Sequence, residues 1–284
     1  MFKVSIICAI FLAQGIYGQR KWNDFRVKFA FTEKGGYFAM PKSLQDPLLK
    51  DYVQVPNPGP YKDGLNLRTY CFPNDPRVCV LFDKNGITAG IQISFLKDEL
   101  NKGISGPFLY DPSKLNMFQS SNLFGKPAYT VRVFFANPAH LKDHGRKNTD
   151  QTADSIWAYL DEGWVEMAMQ EPPQPNNGAM KHFVKQACFP GMGQHYFYKL
   201  DEKTQCDKLQ TFFPLYENGH LIAFGLGTFG KTQSNKREWF EIPPTEAPII
   251  PRRPACLDDW GTKYGFSTLH VYFVDQPWKI GCPH

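Results

Sequence analysis

The chain has 284 residues, of which 42% are hydrophobic, 15% aromatic and 21% charged, a balance that excludes disorder over its whole length and supports a buried core. Its length fits one large domain or two of about 100–150 residues each. The formal net charge of +5, from 32 basic and 27 acidic residues, is too mild and too dispersed for a nucleic-acid surface. The basic pairs Lys236-Arg237 and Arg252-Arg253 are too few to form one.

Lys3 precedes an apolar run over residues 4–13, and small residues follow at Gly15 and Gly18. This order of a positive start, an apolar centre and a small-residue site predicts a secretory signal peptide over residues 1–18, cut before Gln19. The run is short for a bilayer, and no second stretch is long and apolar enough, so no membrane span is expected. Loss of Lys3 leaves 31 bases against 27 acids, or +4. Cys8 leaves with the signal, so six of the seven cysteines remain: Cys71, Cys79, Cys188, Cys206, Cys256 and Cys282. An even number in an oxidising compartment implies disulfides. Their clustering in sequence favours Cys71–Cys79, Cys188–Cys206 and Cys256–Cys282. There is no Asn-x-Ser/Thr sequon.

Residues 19–60 form an N-terminal segment in which Phe25-Arg-Val-Lys-Phe-Ala-Phe31 alternates as a strand and 56–60 is a turn-rich break. Residues 61–147 and 179–284 read as two related β-rich halves. Each opens on Cys-Phe-Pro, at Cys71 and Cys188. Each then has a second cysteine and two apolar runs joined by Asn-Gly, at Asn85-Gly86 and Asn218-Gly219. Asn-Gly between apolar runs predicts a hairpin, because a type I′ turn needs positive φ at both central residues. Tyr129-Thr-Val-Arg-Val-Phe-Phe and Ser267-Thr-Leu-His-Val-Tyr-Phe, each running on to a proline, extend the likeness.

Between the halves, 148–178 is read as a connector of helix and loop. Asp150 or Thr152 would cap a short helix through Ile156, Tyr159 and Leu160 that ends at Gly163, and Trp164 onward extends it or alternates as a strand. Residues 179–188 are read as one more short helix, and 243–254 as an extended, proline-rich surface insertion. The fold class is therefore mainly β with a few short helices, disulfide-stabilised.

Gly225-Leu-Gly-Thr-Phe-Gly-Lys-Thr232 spells both a dinucleotide and a phosphate-loop pattern. Either mechanism needs a helix to begin at its end, and Gln-Ser-Asn-Lys-Arg carries no apolar helical face, so the match is read as a glycine-rich strand and loop. His140 and His144 have the i, i+4 spacing of two metal ligands, but Pro138 and Gly145 bracket them and Leu141 stands where a zinc protease needs Glu. A site of convergent histidines would draw on His182, His195, His220 and His270, with zinc or copper as its metal and His195 as the catalytic candidate. No serine-hydrolase elbow is present. The acidic pairs Asp161-Glu162 and Asp258-Asp259 are adjacent, and so face apart on a strand. The aromatic load suggests a stacking site, with Tyr196, Trp164 and Trp260 as ligand-binding candidates.

The segment His182-Phe-Val-Lys-Gln-Ala-Cys188-Phe-Pro-Gly-Met-Gly-Gln-His195-Tyr196 resembles a motif of secreted invertebrate proteins of unknown function, a Cys followed by Met-Gly-x-His-Tyr and a Leu-Tyr-x-x-Gly hairpin. The likeness extends over residues 65–284, and it implies secretion without implying a reaction. The sequence thus points to an extracellular binding or interaction protein, a component of venom, saliva or another secretion, whose partner is an extracellular protein or small ligand. The alternatives are a secreted enzyme centred on His195 and a structural matrix component.

Overall fold

The computed structural model describes residues 20–28, 30, 34–56, 59, 61–161, 163–171, 180–232, 237–244 and 248–282. The signal-peptide segment and the break over 172–177 lie outside them. The strands in chain order are β1 (Arg26–Lys28), β2 (Tyr37–Ala39), β3 (Val53–Gln54), β4 (Arg68–Phe72), β5 (Asp75–Phe82), β6 (Thr88–Leu96), β7 (Gln119–Leu123), β8 (Lys126–Phe134), β9 (Trp157–Leu160), β10 (Gly163–Glu166), β11 (Phe183–Phe189), β12 (Gly193–Tyr198), β13 (Phe212–Glu217), β14 (His220–Phe229) and β15 (Phe266–Tyr272). Among the described residues three short helices accompany them: α1 (Lys97–Leu100), α2 (Pro138–Asp143) and α3 (Ala255–Tyr264).

All strand pairs are antiparallel, and they form two sheets. One runs β10-β9-β8-β6-β5-β4-β3, with β7 also on β8, and the other runs β11-β12-β13-β14-β15-β1-β2. The mainly β expectation is met, with disulfides in place. The N-terminal segment serves both sheets: β1 pairs with β15 and β3 with β4. The sheets share one core, in which Phe25 and Phe273 pack edge-on against Phe135, at 5.3 and 5.1 Å between ring centroids.

Every residue of β5, β6 and β13 is buried, and β14 is buried from Leu221 onward. Burial on both faces requires cover on the side away from the core. For the first sheet that cover is Leu65, Leu67 and Leu141, packed on Leu81, Ala89 and Phe134. For the second it is formed by residues 239–244 and 248–261, and this cover creates the cleft described below.

The β13–β14 hairpin has the expected turn. Glu217 pairs with His220, and Asn218 and Gly219 both have positive φ, 49° and 79°. The β5–β6 hairpin differs. Phe82 pairs with Thr88 around a five-residue loop, and only Gly86 is left-handed, at φ 81°. Asp83 takes over the turn: its Oδ1 accepts the backbone N–H of Asn85 and Ile87, at 2.9 and 3.0 Å. A carboxylate that closes the loop this way removes the need for the tighter turn.

Two expected helices are strands. Residues 157–160 and 163–166 form the β9–β10 hairpin, with Trp164 opposite Tyr159. Ala158 and Leu160 are buried while Trp157 and Tyr159 are half-buried, a period of two that aromatic residues favour over a helical face. Residues 183–189 form β11, paired through Phe183–Tyr198 and Lys185–Tyr196. The segment expected as a short helix over 179–188 is thus an edge strand, with a register shift between Lys185 and Cys188.

The disulfides are Cys71–Cys79, Cys188–Cys282 and Cys206–Cys256. The first is as expected, because the two cysteines sit opposite each other on β4 and β5. The expected Cys188–Cys206 and Cys256–Cys282 pairs are replaced. The chain end returns to the β11–β12 turn, where the Gly191 N–H donates to the Ile280 carbonyl at 2.8 Å. That return brings Cys282 beside Cys188, while the start of α3 lies against the loop carrying Cys206. Sequence proximity fails as a guide because the β13–β14 hairpin and the placement of α3 bring Cys256 beside Cys206 from 50 positions away.

Candidate functional site

The site is built on the face of the second sheet that points away from the shared core. Residues at one level of that face run Tyr37 on β2, Lys28 on β1, His270 on β15, Gly225 on β14 and Phe213 on β13. His195 and Phe197 on β12 continue the surface, with Phe197 stacked on Phe213 at 4.3 Å between centroids. A Cβ on Gly225 would lie 2.3 Å from the Phe213 ring, and one on Gly227 would lie 2.9 Å from Phe266. The glycines of β14 therefore let two aromatic rings lie flat across the strand. This is the physical role of the nucleotide-like spelling; Lys231 and Thr232 themselves lie in neither a helix nor a strand.

The cover crosses this face. Glu241 makes a two-way backbone bridge with Thr268, taking the edge of β15 that β1 vacates beyond Lys28. On the far side the Ile249 carbonyl accepts the Ala187 N–H, and the Gln186 side chain holds both the N–H and the carbonyl of Arg252. The described parts of the proline-rich insertion, 243–244 and 248–254, are thus a surface segment, as expected, that is anchored at both ends and roofs the face beneath. Beneath it lies a cleft with about 640 Å3 of space, its open mouth included, lined by Met192, Phe197, Phe213, Pro243, Pro244, Ile249, Ile250, Leu257 and Phe266, with Gly261 and Thr268. Its mostly apolar lining with a few convergent polar groups is the composition of a small-molecule site.

Three ionisable side chains, His195, His270 and Glu241, line the same cleft, and all are buried. The His270 Nδ1–H donates to Glu241 Oε1 at 2.9 Å. The His195 ring lies 6.2 Å from that of His270, and its Nδ1 contacts the Ala187 carbonyl at 3.2 Å. A carbonyl only accepts, so Nδ1 carries the proton and Nε2 is left as an acceptor. Among the described residues, neither His195 Nε2 nor Glu241 Oε2 has a hydrogen-bond partner. Burial pushes His195 down to about 3, with the neighbouring His270 and Lys28 adding to the shift, so its ring is neutral across the physiological range. Burial likewise lowers the Lys28 ammonium from its usual value, opposed by the attraction of Glu241.

Stability follows with a definite sign. The folded value of His195 lies below its unfolded value of about 6.5, so the unfolded chain takes the proton first. The contribution is present above pH 6.5 and is lost as pH falls toward 3, by at most about 1.4 kcal/mol per pH unit. Urea unfolding at pH 7 and pH 4.5 should show the wild type losing more stability than His195→Phe. Equal losses in the two proteins would show that His195 does not carry the effect.

The histidines expected to converge do so only in part. His182 lies edge-on to Tyr198, and His220 contacts Gln170 at the exposed end of the β14 hairpin, so only His195 and His270 meet. No group of three or more potential metal ligands is arranged for a metal among the described residues. His140 lies in the short helix α2, which Asn137 caps at its start, and His144 caps its end, with the two rings 5.0 Å apart. The aromatic candidates lie elsewhere. Tyr196 is buried with its hydroxyl donating to Glu171 at 2.7 Å. Trp164 packs on Phe134 and Tyr159, and Trp260 packs on Phe229 and Tyr264.

Sequence reading missed Glu241, Phe213, Phe266 and the roof residues. The available signals were a lone acid inside the apolar run Trp239-Phe-Glu-Ile-Pro-Pro244 and two glycines within a strand of large residues. Compared with protein-family models, with curated proteins and with solved structures, the chain matches none of them.

Proposed function

We propose that this is a secreted extracellular binding protein whose cleft holds a small apolar molecule carrying one hydrogen-bond donor, such as a phenol or an alcohol. The observation that carries the reading is the pairing of an apolar cleft with two unpartnered acceptors, His195 Nε2 and Glu241 Oε2, on side chains that line it. A buried acceptor left unpaired costs about 1–3 kcal/mol, and a donor on the ligand recovers that cost. Lys28 on the neighbouring strand attracts Glu241, so a neutral donor head fits better than an ammonium. Three disulfides support an oxidising, extracellular setting, in keeping with the signal-like segment over residues 1–18. The common β5-β6-β8 and β13-β14-β15 order supports the idea of two related halves, only the second of which carries the cleft.

The enzyme alternative has less behind it. Among the described residues no hydroxyl or thiol hydrogen-bonds to either the His195 or the His270 ring, and the six described cysteines are all paired.

The fluorescent alcohol analogue 2-naphthol should bind saturably, and 2-methoxynaphthalene, which lacks the donor, at least tenfold more weakly. Leu257→Trp, which fills the cleft from α3, should abolish binding with little loss of stability. Equal affinity for the two naphthalenes would remove the donor preference. No binding of either would remove the cleft as a ligand site.

A further inference from the structure

A second cluster lies apart from the cleft, beside the β4–β5 turn. The Arg237 guanidinium is boxed by three aromatic rings, 3.9 Å from the centroid of Phe72, 4.4 Å from Phe38 and 5.1 Å from Trp239. The box is itself held in place: Trp239 Nε1–H donates to Asp75 Oδ2 at 3.0 Å, and Phe38 and Phe72 both meet the Trp239 ring edge-on. Aromatic rings attract a cation but accept none of its five N–H groups in the way an oxygen does. Among the described residues, no carboxylate or carbonyl pairs with this guanidinium, and Arg237 is half-buried. It opens on a basin of about 1150 Å3, open mouth included, that Lys50 and Lys126 also line.

The acids at the basin do not neutralise these three cations. Asp75 is engaged by Arg77, at 2.7 Å, and by Trp239. Asp51 is exposed. The Lys126 ammonium donates to the Asn74 carbonyl at 2.6 Å, which fixes it at the rim with donors to spare.

We infer that this basin is an oxyanion site, taking a sulfate or phosphate monoester group carried by an extracellular sugar, with Arg237 as the planar anchor and Lys50 and Lys126 as flanking charges. Arg binds such groups through two parallel N–H bonds, and a guanidinium with its faces already packed and its edges unpaired is set up for that contact. A basin far larger than one anion leaves room for the sugar ring. The site is independent of the cleft and of what the cleft binds.

The test is calorimetric titration of the full mature chain with glucose 6-sulfate, glucose 6-phosphate and glucose. Saturable binding of either ester, weakened by added salt and absent for glucose, is the expected result, and the preferred ester identifies the source. Arg237→Lys, which keeps the charge and loses the fork, should weaken binding at least tenfold. The Lys50→Ala/Lys126→Ala protein, which leaves the aromatic box untouched, should weaken it at least fivefold. The inference is overturned if neither ester binds, if glucose binds as well as its esters, or if a folded Arg237→Lys protein binds as the wild type does. Should Arg237→Lys fail to fold, the double-lysine variant decides, and unchanged affinity there overturns the inference.

Discussion

Replacing Cys188 and Cys282 together by alanine is expected to cost about 4.7 kcal/mol, the largest loss for any one of the three bridges. The chain-entropy argument sets the order. Sequence separations of 94, 50 and 8 residues for Cys188–Cys282, Cys206–Cys256 and Cys71–Cys79 distinguish the three loops. They correspond to about 4.7, 4.1 and 2.5 kcal/mol of restricted unfolded-state entropy. The second loop is nested within the first, so removing both should cost less than the sum. The longest bridge also ties the chain end to the turn after β11, on the sheet that carries the cleft, so its loss should loosen the roof through Gly191 and Ile280. Urea unfolding of the three double-alanine proteins under oxidising conditions checks the order. A loss for Cys188–Cys282 no larger than that for Cys71–Cys79 would contradict it. Had the cysteines paired with their sequence neighbours, the two bridges of the second half would each contribute about 3 kcal/mol and would be indistinguishable.

Arg146→Ala is the second large effect, at about 3–5 kcal/mol. The Arg146 guanidinium is buried and donates to the carbonyls of Thr88, Thr152, Asn148 and Gln151, at 3.0, 2.6, 2.7 and 2.6 Å, and to Asp154 at 3.0 Å. Its backbone N–H donates to Asp83 Oδ2 at 2.8 Å, the same carboxylate that closes the β5–β6 loop. One side chain therefore joins the 146–154 loop to the start of β6. Gly145 makes room for the contact, with φ at 79° and Asp83 Oδ2 only 2.9 Å from where a Cβ would sit. Alanine would leave four carbonyls and a carboxylate without this donor, several of them away from water. Arg146→Lys should recover less than half of the loss, because an ammonium cannot span the positions that the planar fork reaches. A measured loss below about 1 kcal/mol for Arg146→Ala would show that the loop finds other donors or water.

Much of the sheet structure was legible in the sequence, because strands declare themselves through local pattern. The apolar runs flanking Asn85-Gly86 and Asn218-Gly219 and the Cys71–Cys79 pair all depend on neighbours within a hairpin, while the strand at Val27 shows through its own alternation although its partner Val271 is distant. The failures share one cause, which is contact between residues distant in sequence. The 157–166 hairpin read as a helix because Ile156, Tyr159 and Leu160 also fit a helical spacing, and pairing of β9 with β8 decides the matter. The disulfides of the second half depend on where α3 and the chain end come to rest. The site shows the same division. His195 and His270 were nominated from their types, yet Glu241 joins them only through an edge bridge to Thr268, and the prolines at 243 and 244 become a roof only because residues 249–252 anchor on β11. Tyr196 and Trp260 were reasonable ligand contacts by composition. They are packed into the protein instead, as large aromatics in a two-sheet core usually are.

We propose that the cleft beneath residues 243–244 and 248–261 holds an apolar molecule with a single donor. Native mass spectrometry of the protein purified from its natural source, without organic solvent, tests this most directly. The expected result is one small organic molecule per chain, released on denaturation, apolar apart from a hydroxyl or N–H group, and displaced by 2-naphthol. A bare-chain mass that persists after incubation with saturating 2-naphthol would contradict it, as would a bound molecule that carries acceptors and no donor.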